Sequence, residues 1–338
     1  MLLTREDFHS LVFQRDQGLC VICKQQGVYA HHIIDRSLFD NGGYFLNNGV
    51  CLCAEHYLQA EQTLVSCKVL REKAGIIDIV LPEHLDVDDQ YDHWGNIVKP
   101  NGVRLKGELF FKENVQKALQ FVIHDFVPYV KYPRTYHLST SPNLQNDDRQ
   151  HKNEGFFLGK EVVCTIKMDG ENTNMYPDYL HPRSTDYVHH ESRSWVKALH
   201  GRIAYNIPEG WRVCGENLFA KHSIHYHHLK DFFYLYNIWN DVNTALCWDE
   251  TLEYAELLDL TVVPTFYRGI WEPEAIHKAY EQYCQKSSDP VEGYVIRLVD
   301  QIPMHNYRNA TAKWVRKGHV QTSEFWMSQP VVPNKIEL

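Results

Sequence analysis

Two sets of residues in this 338-residue chain have types and spacings that could do chemistry. The first centres on Lys167, where a run of β-branched residues at 161–167 ends and Asp169-Gly170 turns the chain. A lysine amine is a nucleophile once its ammonium loses a proton, and desolvation or nearby cations ease that loss. The later basic stretch at 312–319, with Lys313, Arg316 and Lys317, could supply such cations, as could a bound metal. The same tetrapeptide, Lys-Met-Asp-Gly, also describes a solvated lysine beside a type I turn, so the four residues alone leave both readings open. The second set is Cys20/Cys23 and Cys53/His56, two half-sites of C-x-x-[CH] form flanking a loop. Structural zinc takes four nitrogen or sulfur ligands in a tetrahedron, and this spacing fits one Zn²⁺. The other reading is free thiols, with His56 on a helix surface. Cys51 suits packing better than ligation, and the five remaining cysteines stand alone among apolar residues as buried thiols.

Elements must hold these groups. Length suggests two or three domains. Residues 1–75 form one unit, opening with a helix whose Thr4 and Asp7 resemble a capping box and whose Phe8, Leu11 and Val12 share a face. A helix from Ala54 to Lys73, ended by Gly75, closes it. Residues 76–154 connect, with a helix near 111–127 carrying Phe111, Val115, Leu119, Val122 and Phe126 as a core-facing stripe. From 155 to 320 the pattern is α+β: strands at 161–167, 211–217, 232–240, 261–266 and 291–298 alternate with helices in a largely antiparallel sheet. A tail follows at 321–338.

The net charge of −9 runs against a wholly basic nucleic-acid binder, yet cations gather at 130–137 and 312–319. A basic groove within an acidic protein suits an enzyme that must release its product. No apolar run reaches the roughly 18–20 residues of a membrane helix, and the N-terminus does not read as a signal peptide, so a cytoplasmic protein with no membrane partner is expected.

Several short motifs in order carry a family resemblance. KMDGEN (167–172), RST (183–185), VCGENLF (213–219), FFYLYNIWN (232–240), VEGYVIR (291–297) and AKWVRKGH (312–319) resemble the covalent nucleotidyltransferase superfamily of DNA ligases, RNA ligases and mRNA capping enzymes. Asn172, two after the glycine, resembles one large group of RNA ligases, and KYPRTYHLSTSP (131–142) resembles a segment upstream of their nucleophile. The resemblance implies an ATP-grasp-like adenylation fold that joins 5′-phosphate and 3′-hydroxyl ends through lysyl-AMP, using ATP and Mg²⁺ or Mn²⁺, on RNA or an RNA-containing duplex. It implies Lys167 as nucleophile and Lys313 on the α-phosphate, with Arg316 or Lys317 behind it. It further implies Glu216 on the ribose, Tyr236 on adenine, Glu292 at the metal, Arg183 in the nucleotide site, and Asn172 at the 5′-phosphate or metal-bound water. Asn237 stands where the family often has aspartate. On the residues alone, Glu216 and Glu292 could be edge-strand charges and Tyr236 a core aromatic.

Residues 20–57 resemble an HNH nuclease, the ββα-metal fold, around the structural zinc. His31, His32 and Asn48 match its metal ligand, general base and orienting asparagine, and Tyr57 stands where a final metal-binding histidine belongs. A phenol is a poor Mg²⁺ ligand at neutral pH, so the nuclease site is expected to be degenerate. The few residues after 320 leave no room for a C-terminal OB domain, so residues before 155 should grip the substrate. Competing readings are a DNA ligase, an HNH nuclease–ligase that cuts and seals, and a non-catalytic end-binding protein.

Overall fold

The computed structural model describes residues 1–142, 144, 148–185, 189–317 and 330–337. They form two compact units, Met1–Val130 and Lys131–Leu338. The stretch 76–154 is thus divided, its first part packing with residues 1–75 and its last part with the larger unit.

The smaller unit opens with α1 (Arg5–Arg15), whose Thr4 side chain accepts from the Asp7 N–H. Phe8 and Val12 are buried and Leu11 is partly so. Strands β1 (Tyr29–His32) and β2 (Gly49–Leu52) pair antiparallel, and α2 (Ala54–Glu61) follows directly. The single helix expected over Ala54–Lys73 is two helices, because Thr63 adopts left-handed φ (58°) and the Ser66 side chain caps a new start at α3 (Cys67–Ala74). Gly75 ends α3 with φ 67°, the C-terminal stop expected. A short pair, β3 (Ile97–Val98) and β4 (Arg104–Leu105), precedes α4 (Glu113–Ala118).

The helix expected near 111–127 is also broken, since α4 gives way to two 3₁₀ turns around Val122 (φ −122°, ψ 10°). The stripe is core nonetheless: Val115, Leu119 and Val122 are buried with Ile33, Ile34, Leu38, Val50, Leu52 and Leu70. Burial constrains which side chains face inward more tightly than it constrains the turn type that carries them.

The larger unit contains two sheets and agrees with the α+β, mainly antiparallel expectation. Its strands in chain order are β5 (Tyr136–His137), β6 (Glu161–Lys167), β7 (Glu171–Met175), β8 (Leu180–Pro182), β9 (Arg212–Asn217), β10 (Phe233–Trp239), β11 (Thr244–Ala245), β12 (Thr261–Val262), β13 (Thr265–Ile270), β14 (Gly293–Leu298), β15 (Ile302–Pro303) and β16 (Thr311–Val315). One sheet runs β13-β6-β14-β16-β5. The other runs β15-β11-β10-β9-β7-β8, with β12 beside β10. The strand expected at 261–266 splits between them: Pro264 has no N–H to offer, and the chain crosses from β12 in one sheet to β13 in the other around it.

Helices α5 (Ser194–Ile203) and α6 (Trp248–Leu257) cover one face of the second sheet, where Val196, Leu199, Ile203 and Ala255 pack with Val213, Phe233, Leu235 and Ile238. Helix α7 (Pro273–Lys286), which starts on a proline at N1, buries Ile276 and Tyr280 with β6 and β14. The short α8 (Tyr307–Ala310) leads into β16. Among the described residues, no helix is long and apolar enough to cross a membrane.

Candidate active site

The strand register brings the sequence motifs together. Lys167 ends β6 opposite Gly293 of β14, so Glu292, one residue earlier, stands beside it. The Lys167 Nζ donates to Glu292 Oε2 at 2.7 Å. Gly293 is required by close approach: a Cβ there would lie 2.0 Å from the Trp314 carbonyl oxygen on β16. Lys313 of β16 pairs with Val295 of β14, which pairs in turn with Thr165 of β6. On the second sheet, Glu216 of β9 lies between Asn172 of β7 and Tyr234 of β10.

The turn after Lys167 is tied at several points. A Cβ on Gly170 would meet the Asn217 carbonyl oxygen at 2.5 Å, so only glycine lets the turn lie against the end of β9. Gly170 N–H donates to Glu216 Oε1 at 3.2 Å. Asp169 is buried; its N–H donates to Tyr226 Oη (2.9 Å) and its carboxylate accepts from the Ile224 N–H (2.6 Å). The loop that supplies those partners is held by buried Asn334, which donates to the Leu218 carbonyl (2.7 Å) and accepts from the Tyr226 N–H (2.9 Å).

These residues frame a cleft of about 330 Å³, within the range of small-molecule sites. Its walls include Lys167, Asn172, Arg183, Glu216, Tyr236 and Lys313. A bulge in β10 opposite β9 shifts the register between Leu235 and Asn237, and both Tyr236 and Asn237 line the cleft as a result. Glu292 reaches the site through Lys167 rather than as a wall residue. Arg316 and Lys317 are exposed and outside the walls; the Arg316 N–H donates to the Glu292 carbonyl (3.1 Å). Gly318 and His319 of the last motif lie outside the described residues.

Sequence reasoning missed several wall residues. Arg134, Arg149 and Arg297 add cations, and Asp148 is a carboxylate facing Lys313 at 3.3 Å and His137 at 3.1 Å. Asn237 donates to Tyr132 Oη (2.6 Å) and accepts from buried Arg297, so this departure from the aspartate of the resemblance is an amide held between a phenol and a guanidinium. Asn172 donates to Tyr236 Oη and accepts from Asn174 (2.8 Å). The basic run at 130–137 was a usable signal for Arg134; nothing local marks Asp148, Arg149 or Asn334.

The charges interact strongly. Burial works to lower the Lys167 pKa, but Glu292 and then Glu216 outweigh it, so the amine is held as an ammonium above its ordinary range. Lys313 is pushed down by burial and by the Lys167 charge. Burial raises the Glu216 carboxyl to about 8 despite Lys167.

The last shift has a sign that can be checked. Between 4.5 and about 8 the folded protein keeps a proton on Glu216 that the unfolded chain has lost, so this residue reduces stability as pH rises through that window. Glu216→Gln should therefore melt progressively higher than the ligand-free parent as pH is raised across it. Melting curves that stay a constant distance apart at every pH would refute the shift.

In the smaller unit, Cys20, Cys23, Cys53 and His56 place their ligand atoms within 4.8 Å of one another. Cys23 and Cys53 sulfurs are 3.8 Å apart, and sulfurs on one tetrahedral zinc would be about 3.8 Å apart. The Cys53 Sγ to His56 Nδ1 distance is 3.2 Å, slightly under the about 3.5 Å of such a site. The donor set fits zinc. Cys51, buried on β2, is not in the cluster.

His32 stacks on Phe8 at 4.4 Å, and burial lowers its pKa to about 4. The buried Asn48 side chain accepts from the Ile34 N–H and donates to the Ile34 carbonyl (both 3.0 Å) and to the Gly43 carbonyl, bracing the hairpin connection. Tyr57 meets His31 edge-on at 5.4 Å.

Comparison with solved structures finds distant likenesses. An archaeal ATP-dependent RNA ligase is 13% identical with a TM-score of 0.39, over 55% of this chain and 48% of that one. A Naegleria gruberi RNA ligase mutant with ATP and Mn is 15% identical with a TM-score of 0.34, over 56% and 58%. A putative ATP-dependent DNA ligase from Aquifex aeolicus is 17% identical with a TM-score of 0.37, over 55% and 50%. The chain thus spans about half the length of these structures. None of the curated proteins compared is similar to it. Residues 160–315, which contain every motif strand from β6 to β16, match the family model of RNA ligases.

Proposed function

We propose that this protein is an ATP-dependent RNA ligase that joins 5′-phosphate to 3′-hydroxyl ends through AMP held on Lys167. The observation that carries the reading is the pairing of Lys167 with Glu292 inside a cleft whose walls gather Arg134, Arg149, Arg183, Arg297 and Lys313, within a chain of net charge −9. Such a cleft suits a triphosphate, whose transfer chemistry asks mainly for positioning and charge neutralisation.

In the first step the deprotonated Lys167 Nζ attacks the ATP α-phosphorus. The N–P bond forms, the bond to the bridging oxygen breaks, and pyrophosphate leaves. AMP then passes from Lys167 to the 5′-phosphate of the nucleic acid, and the 3′-hydroxyl displaces it to form the phosphodiester. Glu292 keeps the amine charged at rest, so its carboxylate must be drawn off before attack. The carboxylates of Glu292 and Glu216 are the hard oxygen donors that Mg²⁺ or Mn²⁺ accepts, and the ion would draw charge from the phosphate oxygens. Lys313 would contact the α-phosphate, with Arg316 or Lys317 beyond it. Glu216 would hold the ribose, Tyr236 would stack on adenine, Arg183 would bind the nucleotide and Asn172 would meet the 5′-phosphate or metal-bound water.

Residues 20–57 are read as an HNH-like module around a structural zinc, serving as a rigid surface for substrate. Incubation with Mg²⁺ and ATP labelled at the α-phosphate tests the catalytic reading. Label should move onto the protein and then, on addition of RNA with a 5′-phosphate, onto the RNA. Protein that takes no label from ATP would end the proposal.

The cleft lies wholly within the larger unit, so a chain beginning at Lys131 should form the adduct at close to the parental rate. If the smaller unit helps align ends, joining should fall by on the order of tenfold to a hundredfold, since small misplacements are costly. Adduct and joining assays run side by side decide it; equal joining by both chains removes the gripping role from the smaller unit.

A further inference from the structure

We infer that His31, which the HNH resemblance casts as a metal ligand, is joined by Glu61 and His93 in a second metal site in the smaller unit, separate from the cysteine cluster, that takes a divalent ion of borderline softness such as Zn²⁺ or Co²⁺. The three side chains come from β1, the last residue of α2 and the loop before β3. Their ligand atoms lie within 4.8 Å of one another, and none belongs to the cysteine cluster.

The hydrogen-bond accounting points to a missing cation. His93 Nδ1 is 3.2 Å from the Ile33 carbonyl oxygen. A carbonyl only accepts, so Nδ1 carries the proton and Nε2 of the neutral ring presents a lone pair. That lone pair faces Glu61 Oε1 at 3.5 Å and Asp35 Oδ2 at 3.8 Å, both acceptors. His93 is 4% exposed and its Nε2 has no hydrogen-bond partner. His31 is 2% exposed; its Nδ1 lies 3.5 Å from the same Glu61 oxygen, and its Nε2 also lacks a partner.

Buried imidazole nitrogens turned toward a carboxylate cost free energy unless something positive lies between them. The 3.5 Å separations are too long for charge-assisted hydrogen bonds, which close to about 2.7–2.9 Å. They match the edge of a coordination tetrahedron instead, about 3.4 Å for ligands 2.1 Å from a shared ion. The His93 Nδ1–H bond to a backbone carbonyl is also the arrangement that fixes tautomer and ring orientation in metal-bound histidines.

Two imidazoles and one carboxylate select borderline ions over Ca²⁺ or Mg²⁺. With Asp35 at the edge of the site and the Glu61 side chain 23% exposed, a coordination position is left toward solvent. Such an open position takes water or an anionic oxygen.

The test uses the full chain, stripped of metal under reducing conditions and titrated with Co²⁺. Thiolate-to-cobalt charge-transfer bands report the cysteine cluster, and ligand-field bands without them report the second site. The parent should bind about two ions per chain. His93→Gln should bind about one, with the thiolate bands unchanged. Glu61→Gln, at a partly exposed position, should weaken the second ion at least tenfold and guards against misfolding of the His93 variant. Parent protein that saturates at one thiolate-bound ion overturns the site. So do folded variants that both retain the parental stoichiometry and affinity.

Discussion

Lys167→Ala should lower adduct formation from ATP by at least about 10⁴-fold, to the limit of detection. The expectation follows from the covalent step itself: without the amine no N–P bond can form, and no other lysine on the cleft wall ends a strand beside a buried carboxylate. Lys313, the other wall lysine, faces Asp148 and lies two strands away on β16. Joining that starts from ATP should vanish with the adduct. Joining of RNA already carrying AMP on its 5′-phosphate should persist at a measurable rate, because that substrate enters after the lysine has acted. The pair of assays separates a lost nucleophile from a misfolded cleft. Label on the alanine variant would show that a different residue attacks.

Cys20→Ser together with Cys53→Ser should remove the zinc proposed for the cysteine cluster and unfold the smaller unit while the larger one stays folded. Structural zinc in small modules contributes on the order of 10–16 kcal/mol of binding free energy. That equals or exceeds the whole stability of a typical domain, about 5–15 kcal/mol. Cys20 is fully buried and Cys53 nearly so, in the same core as Val50, Leu52 and Leu70, so losing the ion also disturbs packing. Elemental analysis should show the loss of the zinc held by the four-ligand cluster, together with any ion at the His31–Glu61–His93 site, which unfolds with it. Limited proteolysis should cut within residues 1–130 and spare the rest. A variant that retains zinc, or loses it without any change in melting or cleavage, would show that these thiols do not hold a structural ion.

Much of this protein is written locally. The β-branched runs at 161–167, 212–217, 233–239 and 293–298 form strands because their pattern suits a sheet buried on its faces, and Pro273 and Gly75 mark helix ends through backbone geometry. The cysteine half-sites converge as their spacing implied, since one hairpin and one helix turn bring them close. The Lys-Met-Asp-Gly and Glu-Gly motifs were legible as residues, and the reason for their glycines became visible only against Asn217 and Trp314 across the sheets.

Where local preference was weak, tertiary packing decided. The 111–127 stripe is buried without staying helical, and the 54–73 helix breaks at Thr63, because the core specifies which side chains turn inward and not the hydrogen-bond ladder between them. Functional pairings of long range were invisible for a related reason. Lys167 meets Glu292 through strand register, Asp169 is braced by a loop that Asn334 holds, and His31 meets His93 across the smaller unit's core. Sequence by itself determined the longer strands of the larger unit, the Lys-Met-Asp-Gly motif and the thiol half-sites, which depend on near neighbours. Only the folded chain determined the charge state of Lys167, the cations that complete its cleft and the second imidazole–carboxylate cluster, because burial and electrostatic contact join residues whose separation along the chain carries no signal.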